Sequence, residues 1–329
     1  MATAATITPT PADTSSSSSD TGAWAALKDR IKTHYDLLSD YYYSLWGEHI
    51  HHGYFTDDPS DTKEAAQRRL ITLLLERSEL PSESRVLDVG CGVGGTSRYL
   101  AHEHKCSVTG VTISGKQVEI AKRLSNDEAA KLGKESSSEE SEKAEGWISL
   151  SPGKVRFIEL DAEKMGDYFD GTAGKEGNYD AVWISEAMSH LPHKQLFFDN
   201  AFKLLKSGGG GKLVVADWFK AENLGEKEMN DDIKPIEDGM LLPPLCTMSE
   251  YVEHAKTAGF KVYSEPFDIS DNVKKTWDIS LSLIQNPSLW MLAIAAGRDI
   301  ISFLRAFQAM RRGYSNKTFK YAVIAFEKA

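Results

Sequence analysis

The chain has 329 residues, 41% hydrophobic and 26% charged, with a formal net charge of −10. That is the composition of a folded globular protein, and the acidic balance argues against a nucleic-acid partner, which calls for a basic footprint. Three cysteines (Cys91, Cys106, Cys246) form no CxxC pair, which argues against a disulfide framework or a structural zinc site and for a reducing compartment, the cytoplasm.

In chain order, residues 1–22 are rich in Ser, Thr and Ala, with neither arginine nor an apolar core of signal-peptide length, and are expected to form a disordered tail. Trp24, Leu27, Ile31, Tyr35, Leu38 and Tyr42 recur at helical spacing, with Ser39 as a point where the helix can break. The aromatic, histidine-rich stretch WGEHIHHGYF (46–55) follows, then a polar loop and a helix over 61–79 capped by Asp61. A buried strand, Val86 to Val89, runs into a glycine-rich turn and a helix beginning TSRYLAHEH. Further strands are predicted at 107–113, 155–162, 179–185 and 208–218, with helices after the second and fourth. Residues 248–270 read as a helix and a strand, 273–312 as helical, and YAVIAFEKA as a last strand. Strands alternating with helices mean a parallel sheet covered on both faces, which binds ligands at the carboxyl ends of its strands. No run reaches the ~18 apolar residues of a membrane helix; the nearest is LWMLAIAA at 289–296.

The turn VLDVGCGVGG (86–95) carries the chemistry. Gly90, Gly92, Gly94 and Gly95 let a ligand lie against bare backbone. A dinucleotide fingerprint usually lacks an acid two residues before its first glycine, where this chain has Asp88, which disfavours an NAD enzyme. The turn instead resembles motif I of the class I S-adenosylmethionine (SAM)-dependent methyltransferases. HYDLLSDYYYSLWGEHIHHGYF (34–55), GVTISGKQVEIA (110–121), DAVWISEAMSHLPHK (180–194), GGKLVVADWF (210–219) and LPPLCTMSEYVEHAKTAGF (242–260) extend the likeness in order from about residue 33 to the end. Within the superfamily they look most like the tocopherol C-methyltransferases and plant alkaloid N-methyltransferases, a group related to the sterol and cyclopropane-forming enzymes.

The resemblance implies a Rossmann-like α/β fold: a mostly parallel seven-stranded sheet with helices on both faces, an N-terminal helical lid and a helical C-terminal insertion. It implies one catalytic domain over 23–329, with the lid at 23–80, the SAM-binding core at 81–220, a substrate cap at 221–312 and a surface insertion at 135–150 around the charged run ESSSEESEKAEG (135–146). It implies that Asp88, Gly90 and Gly92 meet the amino-acid end of SAM, and that Thr112 with Gln117 takes the ribose in place of the more usual acid. Asp161 and Ala162 are expected at the adenine, Ser185 at the lip of the site, and His51 beside the cofactor. His190, Glu186 and His51 are the candidate acid–base groups, since neutral histidine suits removal of one proton near pH 7. Relatives carry Glu-His where this chain has Ser189-His190, which weakens any expectation of carbocation chemistry on an alkene. His49, His51 and His52 lack a Cys or carboxylate partner at ligand spacing, so no metal is expected.

Tyr54, Trp46, Trp218, Met240, Leu242 and Trp277 are expected to line an acceptor pocket; Trp290 and Met310 fall in the same segments. An aromatic, methionine-rich wall suits a mid-sized apolar acceptor. The expected function is methyl transfer to nitrogen or carbon of such a small molecule in specialised metabolism, by a monomer or homodimer. Transfer to oxygen or sulfur, and a SAM-binding protein that catalyses a non-methylating cyclisation, stay open.

Overall fold

The computed structural model describes residues 17–133, 145–170, 178–284 and 298–329. Most of the 1–22 tail, most of the 135–146 run and the LWMLAIAA stretch with Trp290 lie outside the described residues.

Eight strands form one sheet in the order β3-β4-β2-β1-β5-β6-β8-β7. They are β1 (Arg85–Val89), β2 (Ser107–Thr112), β3 (Ile148–Ser149), β4 (Lys154–Glu159), β5 (Ala181–Ser185), β6 (Gly211–Lys220), β7 (Phe260–Asp268) and β8 (Phe319–Lys328). β1, β2, β4, β5 and β6 run parallel; β3 and β8 pair antiparallel, β8 with both β6 and β7. The sheet is therefore one strand wider than the seven expected. The extra strand, β3, is only two residues long and follows the charged run, too short to give a period-2 signal.

The central strands are buried on both faces, as continuous apolar runs require. Trp183, Val86 and Val214 fill one side with Leu70 and Leu100, while Leu87, Val182 and Leu213 fill the other with Phe197 and Phe198. The chain reverses direction at β1: β2 and β4 lie to one side of it and β5 and β6 to the other. That topological switch opens a crevice at the strands' carboxyl ends.

Around the sheet lie α1 (Ser17–Trp46), α2 (Lys63–Ser78), α3 (Gly95–Glu103), α4 (Gly115–Lys131), α5 (Lys194–Leu204), α6 (Met248–Ala258), α7 (Lys275–Ile284) and α8 (Arg298–Asn316). α1 is unbroken at Ser39, whose hydroxyl donates to the Tyr35 carbonyl one turn back. α2 is capped by Thr62 and not by Asp61; Thr62 accepts from the Ala65 amide, while Asp61 is taken by Arg69 and Thr56. α6 carries a Thr247/Glu250 capping box and ends at Gly259 with φ 103°. α8 is pinned through buried Asp232, which accepts from Arg312, Asn316 and Thr318 at 2.6, 3.0 and 2.8 Å. Among the described residues no helix is long and apolar enough to cross a membrane.

Candidate active site

The glycine turn leaves β1 at the switch point. The amides of Gly90 and Cys91 both donate to the Val111 carbonyl, at 2.8 and 3.0 Å, which ties the turn to β2. Gly90 (φ +75°) is packed tight: a β-carbon there would lie 2.3 Å from that of Ala187. Gly92 (φ +54°) differs, because a β-carbon there would meet nothing within 4 Å and would project into free space above the turn. Asp88 is buried at the base and accepts a 2.5 Å hydrogen bond from Ser97 Oγ. Burial pushes its carboxyl up to about 6, against the pull of that bond.

Two spaces meet over this turn. A small one of about 360 Å³ is bounded by Asp88, Gly90, Gly92, His51, Thr96 and Ser185. A cleft of about 870 Å³ continues from it past Thr112, Gln117, Asp161, Ala162 and Ser185. Thr112 Oγ1 donates to Gln117 Oε1 at 2.6 Å, and the two side chains border the cleft as one polar pair. Asp161 caps the short turn that starts at Ala162, accepting from the Glu163 amide. The free space over Gly92, the polar Thr112–Gln117 pair and the apolar walls of Val111, Ile113, Leu160 and Leu191 fit SAM: bare backbone for its amino-acid end, hydrogen-bonding groups for a ribose, a flat slot for a base.

α1 roofs the cleft. Ile31 and Tyr35 form its ceiling, and a polar stripe at i, i+4 spacing fastens the helix to the rim. Lys28 Nζ lies 2.8 Å from Asp161 and 2.6 Å from Glu163. Lys32 pairs with Glu159 and donates to the Ile113 carbonyl. Asp36 accepts from Ser114 Oγ at 2.5 Å, and Asp40 pairs with Lys116 at 3.1 Å.

Beyond Ile31, Tyr35, Ile50, Glu186 and His190 the cleft opens into a second cavity of about 860 Å³; those five residues line both. Its wall is aromatic. His52 lies 5.1 Å from Trp277 and 5.9 Å from Trp218 between ring centroids, and His190 lies 6.2 Å from both Trp218 and Tyr35.

Three candidate acid–base groups sit at this junction. His51 Nδ1 donates to the His52 carbonyl at 2.8 Å, which fixes the tautomer and leaves Nε2 an acceptor without a protein partner. Burial holds its pKa below the ordinary value. His190 is likewise held neutral, down to about 4, chiefly by burial, and its Nδ1 has no partner. Glu186 is different. It stands at φ 55°, a left-handed conformation rare for a non-glycine residue. Its carboxylate accepts from the His52 amide at 2.6 Å, His52 Nδ1 at 2.9 Å and the Tyr321 hydroxyl at 2.8 Å. Burial would raise its pKa, but the His52 charge and hydrogen bonds win and hold it below the ordinary value. Glu186 is thus a fixed anion, with little basicity to offer.

Every residue expected around SAM borders these clefts, although Asp88 is held by Ser97 and not by the turn's amides. Trp46, Trp218, Met240 and Trp277 line the second cavity. Tyr54 and Leu242 do not: Leu242 is buried in the core and Tyr54 packs against it, turned there at 53–54, where Gly53 abuts Ala66 and the Tyr54 amide donates to the Ala66 carbonyl. Met310 is also core. The His49 and His51 rings lie 5.3 Å apart while His52 turns to Glu186, and among the described residues no cluster of three ligating side chains is placed to hold a metal ion. Sequence reasoning missed Tyr35, Tyr42, Thr276, Ser280 and Phe307 as cavity residues. The i, i+4, i+7 relation of Ile31, Tyr35 and Leu38 was visible, but an apolar helix stripe reads equally as core.

Comparison with known proteins matches this architecture. Residues 25–142 fit the family model for mycolic acid cyclopropane synthetase, and residues 87–211 that of a methyltransferase domain. The 27-O-demethylrifamycin SV methyltransferase of Amycolatopsis mediterranei is 30% identical over 74% of this chain and 77% of its own. A probable chloroplastic tocopherol O-methyltransferase of Oryza sativa subsp. japonica is 28% identical over 92% of this chain and 78% of its own. The crystal structure of a sarcosine dimethylglycine methyltransferase from Galdieria sulphuraria shares the fold, with a TM-score of 0.70 at 18% identity over 90% of this chain and 98% of that one. A glycine turn open above Gly92, a roofed cleft and an adjoining aromatic cavity thus occur in a chain that belongs to the class I SAM-dependent methyltransferases, enzymes that methylate small molecules with SAM as the methyl donor.

Proposed function

We propose that this enzyme methylates a nitrogen or carbon of a mid-sized apolar or aromatic small molecule of specialised metabolism, by in-line displacement. The observation that carries the reading is the shared wall of Tyr35, Ile50, Glu186 and His190, which makes the cofactor cleft and the aromatic cavity one chamber. When bound, SAM supplies an electrophilic methyl group on a sulfonium whose leaving group is neutral. What the chain contributes is therefore mainly alignment. Trp218, Trp277 and Tyr35 hold an apolar body and exclude water. His51 Nε2 or His190 Nδ1 accepts the single proton that some nucleophiles release. Histidines of depressed pKa make weak bases, which suits acceptors that need no strong one. Asp88, Gly90, Gly92, Thr112, Gln117, Asp161, Ala162 and Ser185 hold the cofactor in this reading, and the single domain over 23–329, the monomer or homodimer and the cytoplasmic location belong to the same proposal.

The relatives named as O-methyltransferases favour a second reading, transfer to oxygen. S-Adenosylhomocysteine (SAH) release, measured by mass spectrometry over amines, electron-rich arenes and phenols, separates the two. Release with amines or arenes and not with phenols is expected. Release with phenols alone establishes the second reading, and tight SAM binding with no release from any member overturns both.

A further inference from the structure

The acceptor cavity is poor in charge among its described lining residues. Among the described residues that line it there is neither lysine nor arginine, and Glu186 is its one carboxylate. Among the described side chains of the nearby cap, Arg311 pairs with Asp278 and Arg312 with Asp232, at 2.9 and 2.6 Å. The cavity's hydroxyls are largely committed as well. Ser280 donates to the Thr276 carbonyl at 2.8 Å, Thr276 Oγ1 receives the Gly53 amide, and Tyr42 pairs with His34. Of the four histidines that line the cavity, His51 and His190 are held neutral by burial, while His34 pairs with the Tyr42 hydroxyl and His52 Nδ1 with the Glu186 carboxylate.

Among the described lining residues an acceptor's carboxylate or phosphate would find no lysine or arginine, and would be desolvated beside the Glu186 anion and against the faces of Trp218 and Trp277. Buried charge is tolerated only when paired, and aromatic faces attract cations. We propose that the cavity selects acceptors that are neutral or cationic and rejects those bearing a carboxylate, sulfate or phosphate. This rests on the reading of the aromatic cavity as the acceptor site. It also separates this enzyme from its fold neighbour whose named substrate, dimethylglycine, carries a carboxylate.

The test uses the full chain saturated with SAH and three probes on one scaffold: 2-(hydroxymethyl)naphthalene, 2-(aminomethyl)naphthalene and 2-naphthoate. Calorimetry is expected to show the alcohol and the ammonium binding comparably and the naphthoate at least about 100-fold more weakly. Naphthoate binding within tenfold of the alcohol overturns the selectivity and leaves the acceptor-site reading standing. Failure of all three to bind overturns the acceptor-site reading itself, and the selectivity with it. A second variant locates the cause. Met240→Lys places an ammonium at the cavity wall and is expected to raise naphthoate affinity at least tenfold relative to that of the alcohol. If it keeps the alcohol and gains nothing, charge is not the basis of rejection and the inference falls; if it fails to fold, the wild-type comparison decides alone.

Discussion

Gly90 and Gly92 have the same local chemistry and opposite surroundings, so alanine at each separates folding from cofactor binding. Both sit at positive φ, +75° and +54°, where a β-carbon costs about 1–2 kcal/mol of backbone strain. At Gly90 the new methyl would also lie 2.3 Å from the Ala187 β-carbon, and overpacking of that kind adds about 1–3 kcal/mol. Gly90→Ala should therefore lose roughly 2–5 kcal/mol, a fall in Tm of roughly 5–10 °C in a chain of this size. At Gly92 nothing lies within 4 Å, so only the strain applies, and Tm should fall by about 2–4 °C. The Gly92→Ala methyl instead occupies the space assigned to the amino-acid end of SAM, and affinity should drop at least tenfold, about 1.4 kcal/mol. Thermal unfolding without ligand and calorimetric titration with SAM measure the two effects. Wild-type SAM affinity in a folded Gly92→Ala protein would refute the placement of the cofactor, and a wild-type Tm for Gly90→Ala would show that the Ala187 contact yields.

At saturating SAM, His190→Ala and His51→Ala are each expected to lower turnover, by about 100-fold for whichever accepts the proton; unchanged turnover in both removes general-base catalysis. His49 has its pKa pushed down to about 2, first by burial and then by the charges of His51, Arg98 and Arg68. Below the ordinary 6.5 only the unfolded chain takes up that proton, so stability falls as pH drops, by about 1.4 kcal/mol for this group at pH 5.5; denaturant unfolding at pH 7.5 and 5.5 should show His49→Gln losing that much less than wild type. Lys28→Met should weaken SAM binding roughly three- to tenfold and flatten its dependence on salt, since α1 closes through pairs that salt screens; a salt slope equal to wild type would show that α1 is not held this way. Deleting residues 135–146 should leave SAM affinity and turnover within about twofold, because its described flanks, the carboxyl-terminal part of α4 and the edge strand β3, line none of the clefts; a large loss of either ties the segment to the site.

The lining of the cleft assigned to the cofactor was legible because it is local. Asp88 to Gly95 is one strand–turn–helix unit, and Thr112, Gln117, Asp161 and Ser185 each follow a strand whose end the topology brings to the same crevice. The acceptor side is built from α1, the 46–56 loop, α7 and α8, segments far apart in sequence that meet only after the sheet has formed. Apolar residues in those segments look alike whether they line a cavity or fill a core, which is why, of the residues expected at the acceptor, Trp277 lines the cavity and Tyr54 and Leu242 pack into the core, while Tyr35 was passed over. Asp61 was read as a cap because it precedes a helix; the bidentate Arg69 competes for its carboxylate and leaves the cap to Thr62.

Glu186 shows most clearly how structure alters a role assigned from sequence. As the acid after a methyltransferase strand it suggests a base, yet three donors saturate it and its backbone is held in a strained conformation. A buried carboxylate is costly unless such donors are present, and two of the three come from one residue of the 46–56 loop, His52. Seating of that loop and retention of charge at Glu186 are therefore one event. The same seating places His51, next in the chain, with Nε2 unpartnered at the joint between the spaces. The carboxylate thus acts as the fastening that brings the loop's histidines to the chamber, and as a fixed negative charge beside the place where the methyl group changes hands.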